Sequence, residues 1–178
     1  LPLGAHICGT DGNFSGGSCV PESCRKEHIT PINDFSAGIG DWTGTAGERT
    51  TTCGSFGLVL GGFGAAKKSQ EMVLLYNMTQ MPPHDVVRVE LDFLKIDGYN
   101  NQRGRIIADD NVVWEHEFFL DEGENVCGSM YRKEASVHVS VDVPHSDEYM
   151  TLRVTTLRDS NPADQYFAID NVQLVPGS

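Results

Sequence analysis

From Val87 to Phe93 every odd position is apolar (Val87, Val89, Leu91, Phe93) and every even one is charged (Arg88, Glu90, Asp92). Alternation with a period of two marks a strand with one face in a core and the other in water. It predicts a strand over Val87 to Lys95. Val137, Val139, Val141 and Val143 alternate with His138, Ser140 and Asp142 in the same way, and Leu152, Val154 and Thr156 continue the pattern. Almost no segment shows the 3.6-residue period of an amphipathic helix.

The remaining apolar segments are short and separated by turn formers. Arg105 to Ala108 and Val112 to Phe118 flank Asp109-Asp110-Asn111, residue types that tolerate the left-handed conformations of tight turns, which predicts a β-hairpin. Further strands are expected at Glu71 to Met78 and Tyr166 to Val175. Phe56 to Phe63 is apolar but rich in glycine and fits either a strand or a packed loop. Half-buried strands at this spacing, without crossover helices, predict an all-β fold of two antiparallel sheets rather than a parallel sheet.

At 178 residues and 39% hydrophobic, the chain suits one globular domain with a short appendage. Thirteen Lys and Arg against 25 Asp and Glu give a formal charge of −12, a field that repels phosphate backbones and argues against nucleic acid as a partner. The excess acid is compatible with bound calcium, although most acidic surfaces are only solvated surfaces. No apolar run approaches the ~20 residues of a membrane-spanning helix, so direct membrane insertion is not expected. The first residues lack the features of a signal peptide, and a start at Leu1 fits a mature product or a part of something longer.

Five cysteines without a CxxC pair or histidines at zinc spacing argue against a metal finger or a redox motif. Cys8, Cys19 and Cys24 crowd the first 26 residues, which predicts a cysteine-rich leader or remnant of a preceding module over residues 1–28, ahead of a domain spanning 29–178. Three cysteines cannot all pair among themselves, so one is free, bonded to the main domain, or bonded beyond the chain. Cys53 and Cys127 each open a Cys-Gly-Ser tripeptide on a loop and are the expected disulfide. Sequons at Asn13 and Asn77 supply glycan acceptors, and with the cysteines they favour an oxidising, secreted or cell-surface setting.

Asn33-Asp34-Phe35-Ser36 followed by Asp41-Trp42-Thr43 near the start, and Tyr166-Phe167-Ala168-Ile169-Asp170-Asn171-Val172-Gln173-Leu174 at the end, resemble the opening and closing strands of galactose-binding-like jelly rolls. That superfamily includes carbohydrate-binding modules and MAM-type extracellular modules. The hairpin Ile107 to Trp114 is similar to a ribbon common in them. The resemblance spans roughly Asn33 to Val175 and implies a jelly-roll sandwich whose first and last strands meet. It also implies calcium as a cofactor near that junction, with Asp34 and Asp170 as ligands; turn and capping hydrogen bonds are the alternative role for both.

Two oxygen-rich loops are candidate ligand-binding segments: Asp97, Tyr99, Asn100 and Asn101 after the clearest strand, and Asp164 and Tyr166 before the last one. They could hold calcium or sugar hydroxyls, although the same residue types also form ordinary turns. Tyr99 is the aromatic expected to stack on a ligand. Trp42 is expected in the core, and Trp114 fits burial and exposure equally. Glu115 and Glu117 share a strand face as a glycosidase pair could, but an exposed acidic face explains them more simply. No nucleophile elbow, zinc-protease helix or phosphate loop is present. The expectation is a noncatalytic extracellular module that binds glycan or glycoprotein at the cell surface or matrix, the alternative being a structural or assembly module making protein contacts.

Overall fold

A computed structural model describes residues 30–46, 48–157 and 164–177. The expected leader 1–28, with Cys8, Cys19, Cys24 and Asn13, lies outside the described residues, as do residues 158–163. Ten strands follow in chain order: β1 (Trp42–Thr43), β2 (Thr50–Thr52), β3 (Leu58–Gly61), β4 (Glu71–Asn77), β5 (Val86–Asp97), β6 (Gln102–Ala108), β7 (Asn111–Phe118), β8 (Ala135–Pro144), β9 (Tyr149–Thr156) and β10 (Gln165–Gly177). One sheet runs β1-β4-β9-β6-β7 and the other β2-β3-β10-β5-β8. All pairings are antiparallel, and from β3 onward the chain passes repeatedly between the sheets, giving the jelly-roll sandwich that the alternation and the resemblance imply.

The alternation in β5 does what a period of two requires. Val87, Val89, Leu91 and Phe93 are fully buried, and each such side chain contributes about 1.5–3 kcal/mol of transfer free energy. Phe93 forms the centre of the core, with the rings of Trp114, Phe118 and Phe167 at 5.4, 5.5 and 6.0 Å. Trp42 is buried as expected. β5 continues two residues past Lys95, because its end is roofed by the chain between β7 and β8: Lys95 and Asp97 are both fully buried.

The hairpin forms with only Asp109 and Asp110 as its loop, at φ 45° and 66°, and Asn111 joins the strand opposite Ala108. Positive φ at both central residues suits the right-handed twist of the ribbon. A register shift beside Ile106 and Ile107 leaves Val113 without an opposite number. The bulge breaks the parity that would have put Val112 and Trp114 on one face: Val112 is 51% exposed, whereas Trp114 packs half-buried against Phe93.

Of Phe56 to Phe63 only Leu58–Gly61 is strand, preceded by a 3-10 turn at Gly54–Phe56. Gly61 lies at φ 82°, and a Cβ there would fall 2.9 Å from the Phe167 carbonyl oxygen, so this position requires glycine. The expected disulfide is present. Cys53 and Cys127, 74 positions apart, clamp the 3-10 turn to the long loop before β8, and closing a loop of that size stabilises the fold by about 4 kcal/mol through the unfolded chain.

Candidate functional site

The segment before β1 is sewn to β10. Asn33 and Val172 exchange backbone hydrogen bonds of 2.9 and 3.0 Å, and the Thr30 hydroxyl donates to the Leu174 carbonyl while accepting from its N–H. Opening and closing segments therefore meet, as the resemblance implies. A crevice of about 590 Å³ remains, walled by Trp42, Leu74, Tyr76 and Leu174 and rimmed by Asn33, Asp34 and Asp41.

The rim is held by short-range bonds. Asn33 Oδ1 accepts from the Phe35 N–H at 3.0 Å, and Asp34 Oδ1 accepts from the Ser36 N–H at 3.0 Å and hydroxyl at 2.6 Å. The Ser36 hydroxyl, then its N–H, lower the Asp34 pKa, so this carboxylate faces solvent ionised. Trp42 is nearly buried and meets Phe35 edge-on, so half-buried Tyr76 is the aromatic ring that a ligand in the crevice could reach. Sequence reasoning missed Tyr76 and Asp41 as site residues. Asp41 stood inside the quoted opening motif, whereas Tyr76 carried only the signal of its strand.

Asp170 lies on the outer face of β10 beside a bulge at Asn171, whose φ is 52°. Its Oδ1 accepts from the Asn171 N–H, and Asn171 Nδ2 donates to Asp92. Burial raises the Asp170 pKa, the Asn171 N–H opposes that, and the charges of Asp92 and Asp34 add to the rise. Asp34 and Asp170 are thus within electrostatic reach of each other. Among the described residues, no group of three or more His, Cys, Asp or Glu side chains is placed to hold a metal.

The two oxygen-rich loops are neighbours: Gln165 opposes Asp97, Tyr166 opposes Ile96, and the Gly98 N–H donates to the Asp164 carbonyl. Asn100 and Asn101 are exposed there, and Asp164 and Tyr166 are half-buried. Two of the six expected ligand residues require correction. Tyr99 is fully buried, edge-on to Phe118 at 5.7 Å, because the end of the core draws the ring inward; it cannot stack on a ligand. Burial alone pushes its phenol pKa up. Asp97 is also fully buried, at φ 64°, and is no part of the exposed loop surface. The most exposed aromatic near these loops is Tyr131, 87% exposed, on the turn that Arg132 ties to Asp164 at 3.8 Å, and Phe63, 45% exposed, packs against Tyr166 at 4.9 Å.

Glu115 accepts from Arg103 at 2.7 Å and from Arg105 at 2.8 and 2.5 Å. These hydrogen bonds lower its pKa, the opposite of what a general acid needs. Asn77 ends β4 in the open, with the hydroxyl and N–H of Thr79 both folded onto its Oδ1 at 2.6 and 2.9 Å.

No family model matches the sequence, and no curated protein matches it. Solved structures of similar fold include the C-terminal CBM6 of LamC from Zobellia galactanivorans, at 12% identity over 84% of this chain and 100% of that one, with a TM-score of 0.46. The C-terminal family 22 carbohydrate-binding module of Clostridium thermocellum Xyn10B is 13% identical over 85% of this chain and 96% of that one, with a TM-score of 0.47. Dimeric latent PorU from Porphyromonas gingivalis is 6% identical over 92% of this chain, with a TM-score of 0.51; the match spans 14% of that protein. At 6% identity the likeness to PorU is one of fold.

Proposed function

We propose that the chain is a noncatalytic extracellular module that binds glycan, free or on a glycoprotein, in the crevice between its opening segment and β10. The observation that carries this reading is the crevice itself: about 590 Å³, with an apolar wall and a rim of carboxylate, amide and hydroxyl oxygens. A pyranose offers an apolar C–H face and a ring of hydroxyls, and this lining complements both. A glycan array followed by titration of the hits tests it. Tyr76→Ala or Asp41→Asn should weaken binding tenfold or more, about 1.4 kcal/mol. Binding that survives both but is lost in Tyr131→Ala would move the site to the loops around Asn100, Asn101, Asp164 and Tyr166.

Two further elements belong to the reading. A structural calcium held by Asp34 and Asp170 would offset the burial that chiefly raises the Asp170 pKa and the smaller repulsion from Asp34; a melting temperature indifferent to chelator and to Asp170→Asn would remove it. Asn77, exposed and with its sequon threonine folded back, is the proposed glycan acceptor, tested by a mobility shift on glycosidase treatment of protein from a secreting host.

One observation favours the assembly alternative. Leu75, Tyr149 and Val112 are 58%, 51% and 51% exposed on the outer face of the β1-β4-β9-β6-β7 sheet. Concentration-dependent association in sedimentation, abolished by Leu75→Glu, would establish that reading over the first.

A further inference from the structure

The end of the sandwich away from the crevice hides a set of acceptors without donors. Asp97 and Glu134 are 0% and 1% exposed, and Gln165 is 0% exposed. One oxygen of each carboxylate is well held: Asp97 Oδ1 accepts from the Ser129 N–H at 2.7 Å, and Glu134 Oε2 accepts from the N–H groups of Val126 and Cys127 at 2.6 and 3.1 Å. Asp97 Oδ2, Glu134 Oε1 and Gln165 Oε1 are buried with no hydrogen-bond partner among the described residues. Gln165 Nε2 donates to the Gly98 carbonyl at 3.1 Å, which leaves Oε1 as the atom turned the other way.

The two carboxylates are neighbours. Asp97 Oδ1 and Glu134 Oε1 lie 2.2 and 2.6 Å from the point where a Cβ on residue 128 would stand, so Gly128 leaves open a cradle that any other residue would fill. Gln165 is the register partner of Asp97 across β10 and β5, which puts both side chains on one face of the sheet. The surrounding loop is fixed by the disulfide at Cys127.

Charge makes the set more demanding still. Two buried carboxylates face one buried lysine, Lys95, which donates to the Phe119 carbonyl at 3.1 Å and can offset only one of them. Burying a carboxylate oxygen without a donor is costly, and coordination to a hard cation offsets that cost. Three unpaired oxygens, from two carboxylates and an amide, make a donor set for calcium rather than for a softer metal. We propose that Asp97, Glu134 and Gln165 form a buried calcium site that locks the β7–β8 loop onto the start of β10. It is separate from Asp34 and Asp170 and independent of glycan binding.

Isothermal titration of chelator-stripped protein with calcium tests this directly. The wild-type chain should take up calcium and gain about 5 °C in melting temperature at saturation. Glu134→Gln and Asp97→Asn, which keep an acceptor for the loop N–H groups, should each lose one equivalent of calcium relative to the wild-type chain, and Asp170→Asn should retain that equivalent. No uptake by the wild-type chain, or uptake lost in Asp170→Asn and kept in Glu134→Gln and Asp97→Asn, overturns the proposal. If those two variants do not fold, terbium-soaked wild-type crystals decide: an anomalous peak between Asp97 and Glu134 supports the site, and its absence there rejects it.

Discussion

Gly104 lies directly against the ring of Phe93: a Cβ at position 104 would stand 2.6 Å from Phe93 Cζ and 2.7 Å from Cε1. Neither partner can yield, because that ring is packed among Trp114, Phe118 and Phe167. Gly104→Ala should therefore destabilise the fold by about 1–3 kcal/mol, although alanine otherwise suits a strand better than glycine. Urea unfolding measures this, and a midpoint unchanged from wild type would contradict the packing described for β5 and β6.

Tyr99 buries a hydroxyl that has no partner among the described residues. Tyr99→Phe keeps the ring against Phe118 and removes that oxygen, so stability should rise by about 1 kcal/mol. Glycan binding should not change. A weaker fold in Tyr99→Phe would mean that the hydroxyl has a partner.

Replacing Cys53 and Cys127 together by alanine frees a loop of 74 positions in the unfolded chain. The expected loss is about 2–5 kcal/mol, read from denaturant midpoints under nonreducing conditions. Reduction of the wild-type protein should shift the midpoint similarly, provided that the cysteines before residue 30 make no bond to the domain.

The Glu115 carboxyl is held below the ordinary value of 4.5 by Arg103 and Arg105. A carboxyl lowered in the folded state contributes its stability fully above that value and loses it as the pH falls through the folded one. At pH 7, Glu115→Gln should cost a few tenths to about 1 kcal/mol, modest because the site is partly exposed. At pH 3 the difference from wild type should shrink, and a constant gap across that range would argue against the ion pair.

β5, β8 and β9, which bury one face along several residues, were legible from their alternation, and the hairpin β6–β7 from the turn formers between its two apolar segments. β1 and β2 were not, because two or three residues carry no period and these strands exist only through their neighbours β4 and β3. The pairing of Cys53 with Cys127 followed from two matching tripeptides. Tyr99 was misjudged for a tertiary reason: its polar sequence neighbours suggest a wet loop, but the open end of the core takes the ring. Asp97, Glu134 and Gln165 come from three distant segments, and only the fold brings Asp97 beside Glu134 and opposite Gln165. Asp34 sat in a recognisable motif, whereas the crevice beside it is lined from the opening segment, β4 and β10 and takes shape only in the fold.

β10 is the last strand in the chain and the middle strand of its sheet, hydrogen-bonded to β3 on one side and along most of its length to β5 on the other. Until it is in place, β2-β3 and β5-β8 are two separate ribbons with unpaired edges. As the chain emerges residue by residue, that sheet cannot be completed until β10 is free, and the half-built ribbons, with open edges facing the gap that it fills, are the association-prone species along the way.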